Sequence, residues 1–148
     1  MFWFNKSHPD TLFVDKRIFP KQVIWSRGKE ERFLEVKPDV VMDFRELELP
    51  DNHFSLVVFD PPHLMKRNGK TGWMNKKYGS LDASWRDDLR KGFSECFRVL
   101  KKNGVLIFKW SEAEIKVKEV LALTTAAPLF GHPSGKSMGT HWIAFMKP

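Results

Sequence analysis

Cysteine is nearly absent: Cys96 is the only one in 148 residues. No intrachain disulfide and no cysteine zinc site can be built from it. Set between Phe93 and Phe97, it reads as a buried apolar residue on a helix. The five histidines, His8, His53, His63, His132 and His141, show no metal-ligand spacing. Long apolar runs are missing as well. Met1-Phe2-Trp3-Phe4 is too short for the apolar region of a signal peptide, and no stretch reaches membrane-span length. A cytoplasmic protein with no membrane partner is expected. If those four residues do not pack internally, they suggest a homodimer contact. No repeat, low-complexity tract or linker divides the chain, so one domain over residues 1–148 is expected. Glycine is scarce early on, since only Gly28 precedes Asp60. Acids are outnumbered, 18 against 25 bases, for a formal charge of +7. That balance favours a polyanionic partner or substrate.

The most informative segment present is Asp60-Pro61-Pro62-His63, which closes the apolar run Phe54-Ser55-Leu56-Val57-Val58-Phe59. Asp60 and Pro61 each precede a proline, which pushes both towards extended backbone. The prolines fix their own φ and carry no N–H. The Asp60 carboxylate and the Pro61 carbonyl are thereby presented as two acceptors, a pair suited to the two donors of an NH₂ group. An aromatic amine is a poor nucleophile, and accepting both of its hydrogens returns electron density to nitrogen. A positioned methyl donor can then be attacked in line. His63 is placed to lie against the ring of the base or to hydrogen-bond to it. Asp-Pro-Pro is also an ordinary turn after a strand, so the surrounding segments must decide.

Downstream, Trp85, Leu89, Phe93, Phe97 and Leu100 recur at helical spacing. Ser84 with Asp87 resembles a capping box, and Asn103-Gly104 closes the helix. Val105-Leu106-Ile107-Phe108-Lys109-Trp110 is a second apolar strand. Ser111 with Glu114 is another capping box, opening a helix through Ile115, Val120 and Leu121. Strands are expected at residues 11–15, 40–43 and 141–146. Strands alternating with helices mean an α/β fold with a mostly parallel, helix-covered sheet, and the strand at Asp60, its crossover helix and the strand at Val105 make a βαβ unit.

In these segments the chain resembles the class I S-adenosylmethionine-dependent methyltransferases, and more narrowly the amino-methyltransferases of DNA and RNA adenine. The likeness rests on Asp60-Pro61-Pro62-His63, on Val41-Met42-Asp43-Phe44-Arg45, on Leu49-Pro50-Asp51-Asn52-His53-Phe54, on Arg98-Val99-Leu100-Lys101-Lys102-Asn103-Gly104-Val105-Leu106, and on Gly139-Thr140-His141-Trp142-Ile143-Ala144-Phe145. It implies a Rossmann-like, mostly parallel sheet with helices on both faces and a C-terminal antiparallel strand, and S-adenosyl-L-methionine as cofactor. Asp60, Pro61, Pro62 and His63 would form the catalytic motif. Asp43 and Phe44 would sit near the adenine end of the cofactor, and Asp15 is a candidate for its ribose hydroxyls, with Asp60 also at the cofactor site. Asp15-Lys16-Arg17 reads equally well as a charge cluster facing solvent. The glycine-rich turn usual after the first strand of such enzymes has no match here, so the fold is expected to be shortened at its N-terminus.

Residues 61–80 hold five bases, Lys66, Arg67, Lys70, Lys76 and Lys77, and no acid. Gly69, Gly72 and Gly79 give freedom, while Trp73, Met74 and Tyr78 give contact surface. This suits a lid over nucleic acid, with phosphates on the bases and nucleobases on Trp73 and Tyr78. The plainer reading is a solvated loop. Residues 131–139 read as a second flexible loop. It is one residue short of a phosphate loop and no helix follows it.

The function expected is methyl transfer to an amino nitrogen, in adenine of DNA or RNA. The alternatives are a methyltransferase of a small molecule or protein amide, and an inactive nucleic-acid or partner-binding module.

Overall fold

Residues 3–66, 72–134 and 139–148 are described by a computed structural model of the chain. In chain order the elements are β1 (Val14–Asp15), β2 (Phe19–Arg27), β3 (Glu30–Val36), β4 (Val40–Val41), β5 (Phe54–Phe59), α1 (Trp73–Tyr78), α2 (Trp85–Val99), β6 (Leu100–Ser111), α3 (Val117–Leu121), β7 (Phe130–Ser134) and β8 (Thr140–Met146).

The core forms where one amphipathic helix meets three apolar strands. Trp85, Leu89, Phe93, Cys96 and Val99 fall on one stripe of α2 and are all buried. Asp87 and Asp88 in the first turn and Arg98 in the last match the helix dipole. The stripe packs against Phe59, Leu106, Phe108 and Phe145. Phe93 lies 5.5 Å from Phe59 and 4.9 Å from Phe108, centroid to centroid. The buried indole of Trp110 donates to the Ile115 carbonyl at 2.9 Å, so its N–H is satisfied. Gly92 makes the close approach possible: a Cβ there would stand 2.6 Å from the Phe59 ring and 2.7 Å from the Phe44 ring.

β5 and β6 pair in parallel, with α2 between them in sequence, so the expected strand–helix–strand unit is present. The sheet built on it is small and mixed, in the order β5-β6-β8-β7, and both pairs involving β8 are antiparallel. This overturns the expected α/β architecture, a Rossmann-like, mostly parallel sheet with helices on both faces. Among the described residues, strand takes 39% against 19% for the three helices. The N-terminal strands expected in that sheet, at residues 11–15 and 40–43, stand apart from it, and an additional hairpin lies between them in sequence. β1 pairs with β4 in parallel, and β2 pairs with β3 as an antiparallel hairpin. The hairpin closes on the two-residue turn Gly28-Lys29, where Gly28 takes a φ of 60° at the first position.

Four local expectations also change. α2 ends at Val99 and β6 starts at Leu100, so Asn103-Gly104, expected to close the helix, lies within the strand. Ser84 stands at the N-cap of α2, but its hydroxyl turns to the carboxylates of Asp82 and Asp88, so no capping box forms. α3 starts at Val117, whose N–H donates to Glu112 at 2.8 Å, and Glu114 instead accepts the Met65 N–H at 2.6 Å. Residues 130–134, read in part as flexible loop, form the edge strand β7, where Pro133 is tolerated.

Candidate active site

Asp60 follows the last residue of β5. On the neighbouring strand, Phe59 is in register with Phe108, which places Lys109 beside Asp60. Phe108 and Trp110 point into the core, so by the pleat Lys109 points to the opposite face. Its ammonium donates to both oxygens of Asp60, at 3.0 and 2.9 Å. It also stands 5.8 Å from the ring of Trp142, its register partner on β8.

Pro61 is buried, and Pro62 and His63 are half-buried. The His63 ring lies 5.4 Å from that of Tyr78 and meets Trp110 edge-on at 6.4 Å. Burial pushes the His63 pKa down; Asp60 and Glu114 oppose that shift and Lys109 adds to it. The ring is therefore neutral near pH 7, a state suited to lying flat against another ring.

The segment after the motif is pinned at several points. Leu64 and Lys66 exchange backbone hydrogen bonds with Leu81. The Asn75 amide donates to the Met65 carbonyl and the Ser80 hydroxyl. Of the residues expected to contact substrate, Lys66 and Lys76 are exposed. Lys77 holds its ammonium 5.0 Å from the Tyr78 ring, beside His63. Trp73 is less open than expected, since the Arg32 guanidinium covers it at 4.5 Å and also lies 5.1 Å from Trp25. Arg67 and Lys70 lie outside the described residues.

Asp15 and Asp43 stand at the carboxyl ends of β1 and β4, each held by the same device. In Asp15-Lys16-Arg17 and in Asp43-Phe44-Arg45, the arginine donates its backbone N–H and Nε to one carboxylate oxygen and Nη2 to the other, at 2.7–3.0 Å. The remaining Nη1 reaches outward, from Arg17 to the Lys76 carbonyl in α1 and from Arg45 to Asp88 in α2. The Arg45 hydrogen bond holds the Asp43 pKa below the usual carboxylate range against the opposing effect of burial. The two clamps sit close to the Asp60 motif. Phe44 packs on Phe59 at 5.4 Å, and a Cβ on Gly79 would stand 3.1 Å from Pro62 and 3.8 Å from Arg17. The fold thus brings the ends of the β1–β4 pair, with Asp15 and Asp43, near the end of β5 that carries Asp60 and His63.

Asp43 lines an open pocket of about 300 Å³ with Lys16, Val41, Met42, Glu46 and Glu48. Its carboxylates are acceptors for a ribose diol, and Val41 and Met42 offer apolar surface to a purine. These residues fit the adenosine part of S-adenosylmethionine. Asp15 does not line that pocket, and Phe44 faces Phe59 and Gly92. Gly28 does not replace the missing glycine turn, because a Cβ there meets nothing within 4 Å. Among the described residues no group of three or more His, Cys, Asp or Glu could hold a metal ion.

Sequence reasoning passed over Lys109, Arg17 and Arg45. Lys109 had a signal, as the single charge in the apolar run from Val105 to Trp110. The arginines had one in the repeated Asp-x-Arg after two short apolar runs. No helix among the described residues is long and apolar enough to cross a membrane. No protein-family model and no curated protein matches the chain.

Proposed function

We propose that the protein transfers a methyl group from S-adenosylmethionine to an exocyclic amino nitrogen, with adenine in DNA or RNA as the substrate. The observation that carries this reading is the Asp60 carboxylate, fixed at the end of β5 beside the neutral His63 ring. Asp60 and the Pro61 carbonyl accept the two N–H groups of the amine, and His63 lies against the ring that bears it. Asp43 would hold the ribose hydroxyls of the cofactor, and Val41 and Met42 would offer apolar surface to its purine. When bound, S-adenosylmethionine supplies a methyl on a positively charged sulfur, open to in-line attack. The N–C bond would form as the sulfur–methyl bond breaks, leaving neutral S-adenosylhomocysteine, and the Asp60 carboxylate would take the proton that the nitrogen loses. A base in a duplex has to be flipped out to reach this edge, and Lys66, Lys76 and Lys77 attract the phosphates beside it.

The ion pair between Asp60 and Lys109 favours a second reading, a nucleic-acid-binding module without transfer, because both acceptor oxygens are engaged. Calorimetric titration with S-adenosylhomocysteine separates the two. The enzyme reading predicts micromolar binding that Asp43→Ala weakens at least tenfold. No binding at millimolar ligand would sink it and leave the binding module.

A further inference from the structure

We infer that Lys109 is the positioning residue for Asp60: its ammonium fixes the plane of the carboxylate that receives the substrate amine. The inference rests on the methyltransferase reading above.

The geometry is a row across the sheet. Asp60 after β5, Lys109 on β6 and Trp142 on β8 are neighbours on three adjacent strands, and His132 on β7 is in register with Trp142. The ammonium bridges both oxygens of Asp60 on one side and has the Trp142 ring on the other. The Lys109 side chain is only 20% exposed and that of Asp60 only 32%.

Stability is a weak reason for such an arrangement. Ion pairs near the surface contribute about 0–1 kcal/mol, and a lysine between Phe108 and Trp110 interrupts an apolar strand. Geometry is the stronger reason. A carboxylate at a strand end turns about two side-chain torsions, and a monodentate contact leaves its plane free. An ammonium bridging both oxygens removes that freedom and leaves the outer lone pairs facing away from Lys109. A planar NH₂ donates along its own plane, so its nitrogen lone pair is aimed only when the acceptor plane is fixed. Trp142 completes the device by keeping the ammonium from swinging away.

The test is steady-state methyl transfer from labelled S-adenosylmethionine to a single-stranded, adenine-containing oligonucleotide, supplied as DNA and as RNA. The full chain is compared with Lys109→Met and Lys109→Arg. Positioning predicts that Lys109→Met lowers kcat about 100-fold while KM for the oligonucleotide changes less than about twofold. Lys109→Arg, which can also bridge a carboxylate, recovers at least about tenfold of that loss. Circular dichroism melts check that both variants fold, and Lys109→Arg decides the matter if Lys109→Met does not. A rise in KM at unchanged kcat, growing with salt, would make Lys109 a phosphate contact and overturn the inference, as would full activity in Lys109→Met. If the unsubstituted protein transfers no label to either oligonucleotide, the methyltransferase reading fails and the inference falls with it.

Discussion

Asp60 and His63 were singled out from the sequence because proline chemistry constrains so much of their surroundings. What the sequence could not give is the partner of each. Lys109 lies 49 positions from Asp60 and becomes its neighbour only through the β5–β6 register. Tyr78 reaches His63 only because α1 folds back over the motif. At this scale the protonation of His63 is a sharp expectation. Burial depresses its pKa, so its NMR titration midpoint will fall below 6.5, the ordinary histidine value. A midpoint above that value would show the ring to be solvated or paired as a cation. Cys96, fully enclosed on α2, has its thiol pKa pushed up by burial and will resist alkylation in the folded protein.

Among the elements, β5, α2 and β6 were legible because each carries one strong period, an apolar run or a 3.6-residue stripe. The hairpin of β2 and β3 was not, because its turn residues Gly28 and Lys29 lie outside the common Asn-Gly and Asp-Gly signals. The two capping boxes were misread because other partners stood nearer: Asp82 and Asp88 for Ser84, and Glu112 for the Val117 N–H. β7 was hidden by Gly131 and Pro133, residues that an edge strand tolerates. Gly92 links these elements to the site, because the rings it admits, Phe44 and Phe59, immediately follow Asp43 and precede Asp60. Gly92→Ala forces both rings to move and is expected to destabilise the fold by about 1–3 kcal/mol, measured by urea unfolding. A neutral effect would mean that the helix shifts freely on the sheet.

Across the whole molecule, several lowered pKa values act in one direction. Asp43, Glu95 and Glu112 are depressed by hydrogen bonds, first of all from Arg45, from Arg98 and from the Val117 N–H respectively. Their stabilisation is present above the unfolded values, 3.8 for Asp and 4.5 for Glu, and is lost as the pH falls through the lowered folded values. His63 has the same sign. Its depressed pKa means that the unfolded chain takes up a proton first, so stability declines as the pH drops below 6.5 towards the folded value and is constant below that. The urea midpoint should therefore fall in two steps, one below pH 6.5 and one in the carboxylate range. A midpoint that rises on acidification would contradict these assignments.

The formal charge of +7 adds an expectation about association. Affinity for a single-stranded oligonucleotide should fall with salt, and Lys76→Ala or Lys77→Ala should each reduce the slope of log K against log salt by about 0.7. Fold class was the least legible property at this scale. The apolar runs at residues 11–15 and 40–43, read as strands of one parallel sheet, pair only with each other, as β1 and β4.

The central claim is methyl transfer at Asp60, and the most direct measurement is label transfer from S-adenosylmethionine to adenine-containing single-stranded DNA and RNA, for the full chain and for Asp60→Ala. The account predicts transfer by the full chain and a loss of at least about 100-fold in the variant, with oligonucleotide affinity retained. Equal transfer by both proteins would contradict it.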